Sequence, residues 1–299
     1  MDNMSEKCGF VTLLGAPNAG KSTLVNYMVG AKVSIVSPKV QTTRARVRGI
    51  VVKGGCEIVL IDTPGIFKPK RRLDRAMVAA AWREAEYSDV RLVLVDAKRG
   101  LDDDTRSIMD SLLKNKLKAV LVLNKSDLVK PARLVELSAR LNESGLFKET
   151  FMLSAATGNG VDVLENYLIS QMPESPFMFP ADQVSDLPDK LLAAEITREK
   201  LYMNLNQELP YISTVQTDSF KEDEKGLRID QTIYVEKNNQ KQIVIGKNGA
   251  MIKKIGMQSR QELETLFECR VHLFLFVKVR EKWADNPEHY RPWGLDFNA

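Results

Sequence analysis

The sequence predicts an α/β domain, a mainly parallel sheet flanked by helices, followed by a smaller α+β domain. Three observations carry this reading. Short apolar runs alternate with amphipathic stretches through the first half of the chain. Prolines at 173, 176, 180 and 188 then interrupt it, and after them the order of elements changes. A length of 299 residues suits two domains, each large enough to bury its own core.

Residues 10–14, 58–61, 92–95, 119–123 and 151–153 are apolar and of strand length. Residues 23–29, 73–87, 103–115, 131–142 and 161–171 read as helices between them. This alternation implies parallel strands joined by helical crossovers. Prolines at the density seen in residues 173–189 stop both helix and strand, so that segment reads as a linker. The expected division is residues 1–172, the linker 173–189, and residues 190–299. In the last part a helix (191–205) precedes strands at 211–215 and 228–235. A short segment at 241–245, a helix at 250–267 and a strand at 270–279 follow, giving the order α-β-β-α-α-β.

Composition narrows the class. Hydrophobic residues are 44% and charged residues 27%, as in ordinary globular proteins. No run reaches the apolar length that spans a bilayer. The first residues carry Asp2, Glu6 and Lys7 and no apolar stretch, so no secretory signal is expected and the cytoplasm is the expected location. Cys8, Cys56 and Cys269 lie far apart and, with two histidines, make no metal-binding spacing, so reduced packing cysteines are expected. Net charge is only +4, but residues 32–56 and 237–261 each hold six basic residues and no acid. Such runs are usually solvated faces. Here both overlap motifs.

The first motif is Gly15-Ala16-Pro17-Asn18-Ala19-Gly20-Lys21-Ser22, followed by Thr23, between a predicted strand and a predicted helix. That is the spacing and context of a phosphate-binding loop. Its glycines let backbone N–H groups curl around phosphate oxygens, and the helix N-terminus adds favourable partial charge. Lys21 should reach the β- and γ-phosphates, and the Ser22 hydroxyl should ligate Mg2+. Asp62-Thr63-Pro64-Gly65 follows a strand, where Asp62 can hold Mg2+ through water and Gly65 can offer its N–H to the γ-phosphate. Asn124-Lys125-Ser126-Asp127 follows another. Asp127 can accept hydrogen bonds from guanine N1–H and the 2-amino group, both absent from adenine, so GTP is selected over ATP. Lys125 should pack along the base and Asn124 brace the loops. Ser154-Ala155-Ala156 follows the next strand, with a backbone N–H for guanine O6. All four elements sit at carboxyl ends of strands, where open α/β sheets bind ligands.

On these motifs the chain resembles the translation-factor-related GTPases. The resemblance places switch I at Gln41-Thr42-Thr43-Arg44, where a Thr closes over Mg2+ when GTP is bound. Thr43 is the choice and Thr42 the alternative. Ile66 stands where Ras-like relatives carry a water-orienting Gln, so slow intrinsic hydrolysis is expected. Arg44 and Arg46 are candidates for an arginine finger or for a basic flank contacting RNA. In relatives with a similar Pro-Asn-x-Gly-Lys-Ser loop the Asn, here Asn18, helps bind a potassium ion.

The second motif is Ile245-Gly246-Lys247-Asn248-Gly249, followed by Ile252 and Lys253, inside the acid-free stretch 237–261. It looks like the Gly-x-x-Gly loop of a KH domain, here of type II. Glycines there admit a nucleic-acid backbone, Lys247 supplies charge, and an apolar groove takes about four unpaired bases. Trp283, Tyr290 and Trp293 in the tail could stack on bases or pin the terminus.

A P-loop domain, a linker and one terminal KH domain resemble the Era family of bacterial GTPases over nearly the whole chain. Cys8-Gly9-Phe10, Gln41-Thr42-Thr43-Arg44, Glu195-Ile196-x-Arg198-Glu199-Lys200-Leu201, Glu208-Leu209-Pro210-Tyr211 and Val277-Lys278-Val279 with Trp283-Ala284-Asp285 carry it. Ala16 and Ala19 depart from the commoner Arg and Val of the family. The resemblance implies GTP and GDP binding, Mg2+, and small-subunit rRNA bound at its 3′ end during maturation of the 30S subunit. It also implies a monomer with loose association to the inner membrane. A metabolic phosphotransferase would need a second pocket with acid–base groups, and none is evident. A purely structural GTPase fold would not need Lys21, Ser22, Asp62 and Asp127 together.

Overall fold

The computed structural model describes residues 6–39, 42–44, 46–206 and 208–299. Chain contacts divide it into two units. One holds Met1–Ser34, Thr43–Asp186 and Asn298–Ala299, and the other Ile35–Thr42 and Leu187–Phe297.

The first unit runs β1 (Lys7–Gly15), α1 (Lys21–Val29), β2 (Val47–Lys53), β3 (Cys56–Asp62), α2 (Arg72–Tyr87), β4 (Val90–Asp96), α3 (Asp103–Lys114), β5 (Ala119–Asn124), α4 (Pro131–Asn142), β6 (Phe147–Met152) and α5 (Val161–Gln171). The strand order is β2-β3-β1-β4-β5-β6. Every neighbouring pair is parallel except β2 with β3. β3 and β5 are buried along their whole lengths, which is why they read as unbroken apolar runs. Leu14, Val93, Val95, Leu121 and Leu123 pack against Ala81 and Ala85 of α2 and Ile108 and Leu112 of α3. This layer fixes the strand ends Gly15, Asp96 and Asn124.

β2 was not expected from the sequence. Arg48 and Lys53 leave only a short apolar run between them, and it lies in the acid-free stretch. In space that stretch meets acids from elsewhere: Arg46 pairs with Glu84 at 2.6 Å, Arg48 with Asp186 at 3.3 Å and Lys53 with Glu165 at 2.6 Å. The run is therefore not an open basic face.

Residues 173–186, linker-like by proline density, run along the first unit as a strap. Cys8 N–H donates to Pro173 O (3.1 Å), Ser175 N–H to Glu6 O (3.0 Å) and Ile50 N–H to Val184 O (3.0 Å). The fully buried Glu57 carboxylate accepts from Met178 N–H (2.9 Å), Phe179 N–H (3.2 Å) and the Cys8 thiol (3.0 Å). Burial, then the Glu57 hydrogen bond, pushes the Cys8 thiol up to about 12. All three cysteines are free.

The second unit contains α6 (Asp189–Asn204), β7 (Thr214–Asp223), β8 (Gly226–Val235), α7 (Asn238–Ile245), α8 (Ala250–Phe267) and β9 (Val271–Val279). β8 pairs antiparallel with β7 and parallel with β9. The expected order α-β-β-α-α-β is present, with one boundary moved. Leu209–Ile212 forms a 3-10 turn begun by Pro210, and β7 starts at Thr214 and continues through polar residues. Leu201, Ile233, Val235, Val244 and Ile255 form one core cluster, and Ile196, Ile229, Leu263 and Val271 another. α6 buries charge as well: Glu199 accepts from Val36 N–H (2.8 Å) and Lys200 Nζ (2.8 Å), and the Arg198 guanidinium donates to Glu195 and to the Thr42 carbonyl.

In the tail, Trp283 and Tyr290 are buried, with Trp283 Nε1 donating to Ile212 O (2.7 Å) and Tyr290 Oη to Ala284 O (2.6 Å). Trp293 meets the Trp283 ring edge-on at 6.5 Å. Trp283 and Tyr290 pin the terminus and are not available for stacking on bases.

Candidate functional site

The loop after β1 turns from Gly15 into α1 at Lys21. Asn18 (φ 65°) and Gly20 (φ 97°) are left-handed. A side chain at Gly20 would also place its Cβ 2.1 Å from Asn124 Nδ2, so glycine is required there twice over. Lys21 is buried, and its Nζ donates to Gly15 O (3.1 Å) and Ala16 O (3.2 Å). Burial pushes its ammonium down to about 8, against the opposing pull of the Asp62 carboxylate.

At the Mg2+ end, Asp62 Oδ2 accepts from Ser22 Oγ (2.6 Å), Ser34 Oγ (2.6 Å) and Thr43 Oγ1 (3.3 Å). Ser22 Oγ and Thr43 Oγ1 lie 2.9 Å apart. Asp62 Oδ1 is buried with no hydrogen-bond partner. Burial raises the Asp62 pKa, and the Lys21 charge and the hydroxyl donors oppose the rise. An orphaned buried carboxylate oxygen among three hydroxyls is an all-oxygen donor set that fits Mg2+. The geometry also separates the two threonines. Thr42 Oγ1 instead donates to Lys39 O at 2.8 Å and contacts Ser37 Oγ at 2.8 Å. Gln41 lies outside the described residues. Arg44 is buried and Arg46 is committed to Glu84, so the pair does not form an open basic flank for RNA. Sequence reasoning missed Ser34, for which a lone serine gives no signal.

Thr63 Oγ1 donates to Leu13 O (2.6 Å), and a Cβ on Gly65 would come within 3.0 Å of Pro17. After Pro64 the chain returns to the core: Ile66 is buried, and its N–H donates to Gly15 O (3.1 Å). Its side chain packs in the core layer and cannot orient water.

At the base end, Asn124 joins three segments. Its Nδ2 donates to Ala19 O (2.8 Å), and its Oδ1 accepts from Ala155 N–H (2.9 Å). Lys125, left-handed at φ 63°, donates to Asn18 O (2.8 Å) and Asp96 Oδ2 (2.5 Å). Ser126 N–H donates to Leu153 O (3.1 Å), which fixes the short turn carrying the exposed Asp127. Ser154 N–H donates to Asn159 O (2.9 Å). Tyr27 of α1 packs on this loop so closely that a Cβ on Gly158 would lie 1.9 Å from its hydroxyl. Asp96 and Tyr27 belong to no recognisable motif, so only the fold brings them here.

In the second unit α7 ends at Ile245. Gly246 (φ 73°, ψ 171°) turns the chain out, and Asn248 (φ 52°) and Gly249 (φ 77°) bring it back into α8. Buried Val244 and Ile255 anchor the helices, while Lys247, Asn248 and Lys253 are exposed and Ile245 and Ile252 half-buried. The two glycines differ. A Cβ on Gly246 would meet Met251 Cβ at 2.7 Å, whereas one on Gly249 meets nothing within 4 Å.

Residues 10–125 fit the model of a 50S ribosome-binding GTPase family, and residues 208–284 that of the KH domain. The GTPase Era of Afipia carboxidovorans is 56% identical over 99% of this chain and 98% of its own length. The GTPase Era of Brucella suis is 54% identical over 97% and 94%. Among solved structures, a tyrosine-to-alanine variant of Aquifex aeolicus Era bound to GDP and AlF4- superposes with a TM-score of 0.91 at 37% identity, covering 96% of this chain and 99% of that one. An Era complex with MgGDPNP and nucleotides 1506–1542 of 16S ribosomal RNA gives 0.91 at 38%, covering 97% and 99%. With near-complete coverage, a phosphate loop and guanine loop built as above, and a KH loop in the second unit, the chain belongs to the Era family of GTPases.

Proposed function

We propose that this GTPase acts in assembly of the small ribosomal subunit, holding the 3′ end region of its rRNA in the KH loop under control of the bound nucleotide. The carrying observation is the Gly246–Gly249 turn, which presents Lys247 and Asn248 to solvent between two anchored helices. The Era complex that contains nucleotides 1506–1542 of 16S rRNA supports the same reading. Nucleotide chemistry is assigned to residues 1–172 and RNA binding to residues 190–299. We place the protein in the cytoplasm, as a monomer acting on the 30S subunit. No helix among the described residues is long and apolar enough to cross a membrane.

The residues divide the work as follows. Backbone N–H groups of the loop around Asn18, Ala19 and Gly20, together with Lys21, hold the phosphates, helped by the helix N-terminus at Ser22 and Thr23. Ser22, Thr43 and Asp62 hold Mg2+, which neutralises charge on the β- and γ-phosphates when bound. Asp127 reads guanine N1–H and the 2-amino group. A backbone N–H of the Ser154-Ala155-Ala156 segment, which Asn124 Oδ1 ties to the guanine loop through Ala155 N–H, meets guanine O6. Crosslinking in cells followed by sequencing tests the proposal. Reads should concentrate at the 3′ end of small-subunit rRNA. Reads scattered over unrelated transcripts would sink it.

Because Ile66 cannot orient water, added positive charge beside the phosphates should matter. The resemblance assigns Asn18 the role of sharing a potassium ion there. GTP hydrolysis without RNA is expected to run faster in potassium than in sodium at equal ionic strength, and Asn18→Ala should erase the difference. Equal rates in the two salts for the parent would leave Asn18 a purely conformational role.

A further inference from the structure

Five consecutive carbonyls of the phosphate loop, Gly15 to Ala19, each accept a hydrogen bond from a side chain. Lys21 takes those of Gly15 and Ala16, Lys125 that of Asn18 and Asn124 that of Ala19. The fifth, Pro17 O, accepts from Arg99 Nη1 at 3.1 Å. Arg99 lies in the turn after β4, outside every motif. That turn is itself braced. Asp96 Oδ1 accepts from Lys98 N–H (2.9 Å) and Arg99 N–H (3.3 Å), and Arg133 of α4 holds Lys98 O (3.0 Å). Asp102 pairs with Arg99 Nη2 at 2.6 Å and caps α3 by accepting Thr105 N–H at 2.8 Å. One carboxylate, Asp96, thus anchors the Lys125 ammonium and the backbone of the turn that carries Arg99.

We propose that Arg99 is a positioning residue for GTP hydrolysis, setting and polarising the Pro17–Asn18 peptide so that the Asn18 N–H faces the phosphates. In a trans peptide C=O and N–H point in opposite directions, so a carbonyl drawn outward turns its N–H inward. Asn18 holds a left-handed backbone that few non-glycine residues adopt. The carbonyls on either side of it are the two bound by Arg99 and Lys125. A cation on the carbonyl oxygen also strengthens the donor at the other end of the same amide. Such a donor accelerates the reaction to the extent that it binds the transition state better than GTP. Charge around the transferred phosphoryl group is what this site must stabilise.

The inference rests on the phosphate-loop assignment, which GDP binding by the parent tests separately. In the full chain, Arg99→Ala should lower single-turnover GTP hydrolysis about tenfold, an interaction lost mainly in the transition state. GDP affinity should stay within about twofold of the parent, because binding shared by ground and transition states is kept. Arg99→Lys should retain most of the rate, since an ammonium can reach the same carbonyl. Asp102→Asn, which frees Arg99 from its anchor, should fall between them and carries the test if Arg99→Ala is poorly folded. A parental rate in Arg99→Ala overturns the proposal. So does an equal loss of hydrolysis and GDP affinity that Arg99→Lys leaves unrepaired, because Arg99 would then only prop the loop.

Discussion

Asp127→Asn is expected to lower GTP affinity by about a hundredfold and to raise affinity for xanthosine triphosphate. Guanine offers N1–H and its 2-amino group, and in the proposed assignment the Asp127 carboxylate accepts both. Hydrogen bonds to a charged group contribute about 1.5–3 kcal/mol each, so losing the charge and one correct partner reaches a hundredfold. Xanthine carries an oxygen in place of the 2-amino group, which an amide donor suits. The substitution should not disturb the loop. Asp127 is exposed, and the turn is held by Asn124, Lys125 and the Ser126 amide. Competition between the two nucleotides for the purified variant measures the switch. Parental GTP affinity in the variant would remove Asp127 from base recognition.

Gly249→Asp is expected to abolish RNA binding while leaving GTP binding intact. The Gly-x-x-Gly loop works through close approach of a phosphate backbone, and an added carboxylate opposes it by bulk and charge. Gly249 is the better test of the two glycines. Beyond its own neighbours in the chain nothing lies within 4 Å of a Cβ there, so the substitution costs backbone strain at φ 77° but no collision. Gly246→Asp should also block RNA, but its Cβ would strike Met251, and part of its effect would be a disturbed α7–α8 junction. Gel-shift affinity for a 16S 3′-end oligonucleotide, with GDP binding on the same samples, separates the outcomes. Unchanged RNA affinity in Gly249→Asp would exclude this loop.

What the sequence made legible follows physical rules. β3 and β5 were plain because strands buried on both faces are apolar throughout. The motif residues were plain because a phosphate or a guanine edge accepts few residue types at fixed spacing. β2 was hidden because its charges are satisfied by acids distant in sequence, Glu165 and Asp186. The start of β7 was misplaced because Pro210 turns an apolar run into a 3-10 turn. Thr42 and Thr43 could not be separated by spacing, since the choice depends on where Ser22 and Asp62 sit in space. Asp96, Arg99 and Tyr27 left no trace in the sequence, because a brace needs only reach and charge, and many positions could supply them.

The strap formed by residues 173–186 gives the sheet a finished margin. β2 is one of the two edge strands of the sheet, and an edge strand exposes unpaired backbone groups to other chains. The strap occupies that margin: Ile50 N–H is taken by Val184 O, and Gly49 bridges Ser185. It also brings two of the three donors that satisfy the buried Glu57. A first unit cut at residue 172, where the last helix ends, would open a sticky margin and strip an interior carboxylate of most of its partners. The first unit therefore extends through the strap to Asp186, and the prolines that resemble a tether belong to the segment that closes its edge.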